Sequence, residues 1–418
     1  MTNIPTTPGF SGLGIAPSLL DALDRLHFTE PTPVQRRSIP IAIEGQDLIA
    51  IAQTGTGKTM AFGIPMIQRL AQVKGRGLII LPTRELAIQV DEALQTIGHA
   101  LGLRTAVLIG GAPMGKQKQS LQRKPHAIIA TPGRLLDHME QRTISLNDVT
   151  ILILDEADRM LDMGFAPQIK KILAEVPKKR QTMLFSATMP KAIVEIAHKY
   201  MAVPIHVEIA PSGTAVEKVT QEVFFLNKEA KPQLLEKLLK EHLGSVLVFV
   251  RTKHMARKLT RRVSDMGHTA AEIHSNRSLG QRRAALDGFK SGKFRVLIAT
   301  DIAARGIDVT GIELVVNFDL PSTADDYIHR IGRTARAGRQ GMAISFATFD
   351  QRGDIRSIER LLRKSLPVRQ LPNLPAARHF TDPGEAPRQF FSRRRQGSSQ
   401  PGGRFQRRRG FSSSRRRY

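Results

Sequence analysis

The sequence predicts an α/β fold: two tandem domains, each a mostly parallel sheet with helices on both faces, followed by a disordered arginine-rich tail. Three observations carry that expectation. Short, wholly apolar runs alternate with stretches whose apolar residues recur every three or four positions, the signature of buried strands joined by amphipathic helices. The alternation loosens around Ala210–Ala215 and then starts again. A chain of 418 residues, at roughly 100–200 residues per domain, has room for two to four domains with real cores.

In the first series the runs Asp47–Ile51, Gly77–Leu81, Ala127–Ala130, Thr150–Leu154 and Thr182–Phe185 read as strands, and Met60–Leu70, Arg84–Ala100 and Pro190–Tyr200 as helices. Ala210-Pro-Ser-Gly-Thr-Ala215 gathers turn formers without an apolar period and reads as a linker. Strand-like runs then return at Gln221–Leu226, Ser245–Val250, Phe294–Ala299, Glu313–Asn317 and Gly341–Phe346, separated by helical stretches such as Lys231–His242 and Lys253–Met266. The expected boundaries are a first domain over 1–208, a linker over 209–218, a second domain over 219–367 and a tail over 368–418. A cleft between two such domains is a natural ligand site.

Composition narrows the function. Hydrophobic residues make up 41% and no apolar run is long enough to span a bilayer. The absence of cysteine excludes disulfides, thiolate metal sites and cysteine nucleophiles, and Met1–Pro5 lacks the pattern of a signal peptide, so a cytoplasmic protein is expected. Lys and Arg number 63 against 37 acids, a net charge of +26, which favours a polyanionic partner and nucleic acid above all. From Ala386 to Tyr418 there are 11 arginines and no acid, interleaved with Phe390, Phe391, Phe405, Phe411 and Tyr418. Cations for phosphates and rings for bases make that tail a candidate RNA tether; a merely solubilising role is the plainer alternative.

Ala52-Gln-Thr-Gly-Thr-Gly-Lys-Thr59 lies between a strand and a helix, the setting of a phosphate-binding loop. There the backbone of Thr54, Gly55, Thr56 and Gly57 can curl around phosphates, Lys58 can reach the β and γ groups of ATP, and Thr59 can ligate Mg²⁺. Ala52 stands where such loops usually begin with glycine. Asp155-Glu156-Ala157-Asp158 ends an apolar strand, where acids face the ligand crevice of a parallel sheet. Asp155 is placed to hold Mg²⁺ through water and Glu156 to orient and deprotonate the attacking water; a dipole-favoured helix start is the plainer reading for either acid alone.

With both motifs in place, the chain resembles the DEAD-box RNA helicases of superfamily 2, from Phe10 to about Phe349 and with the motifs in family order. The resemblance implies two RecA-like domains that close on ATP and RNA. Phe28-Thr-Glu-Pro-Thr-Pro-Val-Gln35 resembles the adenine-reading Q motif, with Phe28 and Gln35 at the base. Pro82, Thr83 and Arg84, Gly110 and Gly111, and Thr131, Pro132 and Arg134 match first-domain motifs that hold the RNA backbone, although each also suits loop-and-cap chemistry. Ser186-Ala-Thr188 matches the coupling motif, its hydroxyls placed to bond Asp158. In the second domain the resemblance gives Arg251, Arg282 and Thr300 to RNA, Asp308 to the ribose, and His329, Arg333 and Arg336 to the nucleotide, the two arginines as fingers on the γ-phosphate.

Three departures stand out. Ala335 replaces the usual glycine of the last motif, which a helical backbone would tolerate. Ser275-Asn276 after His274 stands where Gly-Asp is common and points to the bacterial RhlE-type branch. Leu279 occupies the usual glutamine of a Gln-x-x-Arg element, leaving only Arg282. The resulting expectation is an RNA-dependent ATPase that uses ATP and Mg²⁺ to unwind short RNA duplexes, with RNA as its partner and ribosomal particles or RNA-decay machinery as candidate clients. Its rivals are a non-enzymatic RNA chaperone or annealing factor, and a DNA-translocating relative, which Asp158 and Gln35 disfavour.

Overall fold

The computed structural model describes residues 9–53, 55–209, 219–301, 309, 311–335 and 341–374. The first sheet is built from β1 (Leu48–Ile51), β2 (Arg76–Ile80), β3 (Thr105–Leu108), β4 (Ala127–Ala130), β5 (Val149–Leu154), β6 (Gln181–Ser186) and β7 (Ile205–Glu208). Its strands lie in the order β3-β4-β2-β5-β6-β1-β7. The second comprises β8 (Val219–Phe225), β9 (Val246–Phe249), β10 (Ala270–Ile273), β11 (Val296–Ala299), β12 (Leu314–Asn317), β13 (Gly341–Ala347) and β14 (Val368–Arg369), in the order β10-β11-β9-β12-β13-β8-β14. Every pairing described is parallel.

Parallel strands need crossovers, and helices supply them. The first domain has α1 (Pro17–Arg25), α2 (Pro33–Ile43), α3 (Lys58–Gln72), α4 (Arg84–Gly98), α5 (Met114–Gln122), α6 (Pro132–Glu140), α7 (Ala157–Asp162), α8 (Ala166–Glu175) and α9 (Lys191–Tyr200). The second has α10 (Lys231–Glu241), α11 (Lys253–Asp265), α12 (Leu279–Lys290), α13 (Ala324–Ile331) and α14 (Arg352–Leu362). Threonine caps start several of them where the sequence leaves a strand: Thr83 Oγ1 accepts from Leu86 N–H at 3.3 Å and Thr252 Oγ1 from Met255 N–H at 3.1 Å.

Each sheet is buried on both faces, and its alternate residues feed two separate cores. Leu48, Ala50, Ile79 and Ile153 pack with α1 to α4, whereas Ile49, Leu78, Leu152 and Leu184 pack with α6 to α9. In the second sheet Leu247, Leu297 and Val315 face α12 to α14, and Val246, Val248 and Ile298 face α10 and α11.

Two expected boundaries meet the structure differently. Ile209 still donates its N–H to Ile51 O at 3.0 Å, so the first domain reaches that residue; the rest of the expected linker, 210–218, lies outside the described residues. The second sheet runs past residue 367, because Val368 and Arg369 pair with Val223 and Phe224 and Leu374 packs on the same domain's core. The tail from residue 375 onward lies outside the described residues.

Candidate functional site

Strand order sorts the motifs into two halves of one edge. At the carboxyl ends of the neighbours β5, β6 and β1 stand Asp155-Glu156, Ser186-Ala-Thr188 and the glycine-rich loop. At those of β3, β4 and β2 stand Gly110-Gly111, Thr131-Pro132 and Pro82-Thr83-Arg84. The second sheet repeats the division, with Arg251 and Thr300 beyond β9 and β11.

The glycine-rich loop turns on Gly55 and Gly57, whose φ angles are +84° and +89°, and Thr56 Oγ1 donates to Gln53 O at 2.7 Å. Lys58 opens α3 and is only 6% exposed, yet its ammonium has no hydrogen-bond partner among the described residues. Asp155 Oδ1 lies 3.8 Å away. Burial pushes the Asp155 carboxyl up to about 6, against the pull of Lys58. A buried, unpartnered ammonium at the start of a 15-residue helix is a group that phosphate oxygens would satisfy.

Thr59 and Asp155 also suit Mg²⁺. That ion takes few protein ligands and draws the rest from phosphate and water, and no group of three His, Cys, Asp or Glu able to hold a metal occurs among the described residues. Thr54 lies outside the described residues.

Gln35 reaches the same loop. Its amide donates to Gly57 O at 3.0 Å and its carbonyl accepts from Thr32 N–H at 2.9 Å. A Cβ on Gly57 would run into the Gln35 amide and displace it, and the positive φ itself favours glycine. The glutamine thus ties the Q motif to the phosphate loop, leaving one amide hydrogen and one lone pair for a base edge. Phe28 is 36% exposed, its ring accessible for stacking.

Glu156 sits at φ +51°, a left-handed conformation unusual for glutamate and one that clusters at functional sites. Burial would raise its pKa, but Arg159, Lys58 and Arg333 together bring it down to about 2. Arg159, buried beside it, pairs with Glu156 Oε2 at 2.5 Å. Glu156 is therefore a firmly ionised carboxylate, better fitted to orient water than to take its proton outright.

Two residues on, Asp158 Oδ2 accepts from Ala187 N–H at 3.0 Å, Thr188 N–H at 2.8 Å and Thr188 Oγ1 at 3.0 Å. The Asp158 N–H donates to Ser186 Oγ at 3.2 Å. The acidic motif and the serine-alanine-threonine motif are thus hydrogen-bonded into one unit.

The second domain meets this unit through α13. Arg333 is buried and close enough to Glu156 to lower its pKa. Burial and then Arg159 lower the pKa of His329, while Asp158 and Glu156 oppose them. Asp308 and Arg336 lie outside the described residues. Ala335 is not helical as expected: its φ is +54°, the region where glycine is at ease and alanine is strained.

On the other half, Arg84 lies across the paired glycines, and a Cβ on Gly111 would run into its guanidinium. Thr131 precedes α6, and Arg134 Nη1 donates to Ala112 O at 3.3 Å. Arg282, expected at RNA, pairs with Glu85 of the first domain at 2.8 Å, and Arg283 with Glu92 at 2.7 Å. Leu279 packs against the first domain's core. The departure from glutamine therefore adds an apolar contact between the domains.

Sequence reasoning passed over Arg159 and Arg330. Arg330 is fully buried: Asp301 accepts from Nε at 2.5 Å and Nη2 at 2.7 Å, Asp319 O from Nη1 at 2.6 Å, and the guanidinium lies 4.9 Å from the Phe249 ring centroid. The only signal in the sequence was position: Arg159 falls one helical turn after Glu156, and Arg330 lies inside the His329–Arg339 arginine run.

Residues 32–196 match the DEAD/DEAH box helicase family and residues 230–338 the helicase conserved C-terminal domain. The ATP-dependent rRNA helicase RRP3 of Candida albicans is 42% identical over 368 residues, 87% of this chain and 69% of that protein. The ATP-dependent RNA helicase CshA of Listeria monocytogenes is 42% identical over 366 residues, 87% of this chain and 70% of that protein. The chain belongs to the DEAD-box RNA helicases. Its fold is that of their paired RecA-like domains: S. cerevisiae Dbp5 bound to RNA and ADP BeF3 superposes with a TM-score of 0.78 at 32% identity, covering 87% of this chain and 96% of that one. Mss116p bound to ssRNA and AMP-PNP gives 0.81 at 26% identity, covering 88% and 81%. As a DEAD-box protein the chain is an RNA-dependent ATPase and ATP-dependent RNA helicase. Among the described residues no helix is long and apolar enough to cross a membrane.

Proposed function

We propose that this DEAD-box protein unwinds short RNA duplexes locally by closing its two domains around ATP and RNA, gripping backbone rather than bases. The observation that carries the reading is the approach of Arg333 from the second domain to Glu156 of the first, the carboxylate that Arg159 and Lys58 also act on. In this reading the residues up to 209 bind ATP, 219–374 form the helicase domain, 210–218 link them and the tail from 375 tethers RNA. Phe28 and Gln35 hold adenine, Lys58 and the loop hold the phosphates, and Glu156 orients water for attack on the γ-phosphate. Arg333 and Arg336 stabilise the charge that spreads over the transferring group. Thr59 and Asp155 would hold Mg²⁺, which would supply positive charge against that of the phosphates.

Asp158, hydrogen-bonded to Ser186 and Thr188, couples nucleotide state to RNA state. Pro82, Thr83, Arg84, Gly110, Gly111, Thr131, Pro132, Arg134, Arg251, Arg282 and Thr300 line the RNA path; Arg282 would exchange Glu85 for phosphate when RNA enters. Asp308 contacts ribose and His329 the phosphate side. Ribosomal particles are the favoured clients, since RRP3 relatives are named rRNA helicases, with RNA decay second and the cytoplasm the expected place of work.

RNA-stimulated ATPase with matched binding assays tests the reading. Glu156→Gln keeps ATP and RNA affinity, loses turnover and traps the closed complex, and Lys58→Ala weakens ATP binding. Near-normal turnover in both variants overturns the site, and RNA annealing that ignores ATP would favour the chaperone reading.

A further inference from the structure

A second basic cleft opens on the second domain, where α11 begins and β10 ends. We propose that it is a phosphate subsite for the RNA strand, taking a backbone phosphate beyond the stretch held by Arg251, Arg282 and Thr300. The proposal rests on the RNA reading above and extends it to residues outside the family motifs quoted for RNA.

The cleft measures about 330 Å³. Lys253, His254 and Arg257 line it from the first turns of the 13-residue α11. His274 and Arg277, just beyond β10, line it from the opposite side. His274 is only 6% exposed, and neither of its ring nitrogens has a hydrogen-bond partner among the described residues. An imidazole left unpaired at that depth is costly unless something supplies the missing bond.

The cleft's one carboxylate, Glu272, approaches His274 Nε2 at 3.5 Å but is already ion-paired with the Arg277 guanidinium. Lys253 Nζ rests on Asn276 Oδ1 at 3.2 Å, a neutral partner that leaves its charge uncompensated. Cations therefore exceed acids around the cleft, and no Phe, Tyr or Trp lines it. That chemistry suits a phosphate oxygen.

Position says which phosphate. Lys253 follows Arg251 by two residues, and Thr300 N–H donates to Ile273 O at 3.2 Å, immediately before His274. With β10, β11 and β9 adjacent in the sheet, the cleft continues the same edge as the proposed grip. A strand leaving Thr300 toward the β10 edge arrives at Lys253, His274 and Arg257.

The test uses the full chain with a nonhydrolysable ATP analogue and a ladder of oligouridylates lengthened one nucleotide at a time. Affinity should step up by about three- to tenfold at the length that reaches the cleft, as charge-assisted hydrogen bonds to one phosphate would give. Arg257→Ala and Lys253→Ala should each erase the step and flatten the log–log salt dependence of the longer oligomers by about 0.7. Arg261→Ala, one turn further along α11 and outside the cleft, should keep it. A step that survives in Arg257→Ala and Lys253→Ala, or equal weakening at every length in all three variants, overturns the subsite. An unmodified protein whose ATPase ignores RNA would instead overturn the RNA reading and the subsite with it; RNA-stimulated ATPase beside an untouched step rejects the subsite alone.

Discussion

The two domains are wired alike but use the same wiring for opposite ends. Counting strands within each domain, both sheets run third, fourth, second, fifth, sixth, first, seventh. In the first, Lys58 opens the helix after the first strand and faces Asp155 beyond the fifth. In the second, Lys231 opens the helix reached from the first strand and faces Asp319 just beyond the fifth. The first pair stands 3.8 Å apart with the ammonium unpartnered; the second stands 3.3 Å apart, with Lys231 Nζ donating to Phe318 O at 2.7 Å and lying 5.6 Å from the Phe318 ring centroid. Leu226–Ala230, which leads into α10, contains no glycine, so its backbone lacks the freedom that Gly55 and Gly57 give the other loop. Protein groups fill in the second domain what phosphate would fill in the first. Asp319 Oδ2 also accepts from Arg251 N–H at 3.0 Å, so the filled version serves as a tie beneath a proposed RNA contact.

The contrast breaks or sharpens on four substitutions. The largest effect is expected from Lys58→Met: RNA-stimulated ATPase falls about a hundredfold or more, while thermal unfolding shifts little, because the lysine has no protein hydrogen bond to lose and the cost of burying its charge offsets its attraction to Asp155. Arg330→Met, which leaves the Asp301 carboxylate and the Asp319 carbonyl without their cation, costs about 3 kcal/mol in a denaturant titration, and its destabilisation should localise to the second domain by hydrogen exchange. Lys231→Met costs about 2 kcal/mol yet keeps ATP affinity, the reverse of Lys58→Met. Should Lys231→Met instead abolish ATP binding in a folded protein, the division between open and filled pairs fails. Smallest is Ala335→Gly, which relieves the positive φ and raises stability by about 1 kcal/mol, read as a shift in the unfolding midpoint; a loss would mean that Ala335 makes contacts worth more than its strain.

The strands that sequence periodicity reveals and those it misses divide cleanly. All ten recognised runs are interior strands; the four missed, β3, β7, β10 and β14, are the four sheet edges. Interior strands are buried on both faces and flanked on both sides, so they read as continuous apolar runs. An edge such as Ile205-His-Val-Glu208 has one neighbour and leaves His206 and Glu208 exposed, and Val368-Arg369 is too short to show any period. The site divides similarly. Lys58, Glu156 and Asp158 belong to local motifs whose spacing carries their chemistry. Arg159, Arg330 and Lys231 are buried cations, and the partners of Arg330 and Lys231 are distant in sequence, so nothing in their own neighbourhood announces them. The engagement of Arg282 with Glu85 likewise depends on how two domains meet, which no local pattern encodes.

The leucine at position 279 has a thermal consequence. Where a glutamine would offer a polar contact, this chain presses an aliphatic side chain onto the opposite domain's core. Apolar association is driven largely by entropy near room temperature and weakens on cooling. Part of the grip between the domains therefore slackens in the cold, by a fraction of the roughly 1.5–3 kcal/mol that full burial of a leucine provides. The balance between closed and open forms in this protein accordingly carries a built-in temperature coefficient, set by one methyl-bearing side chain at the seam.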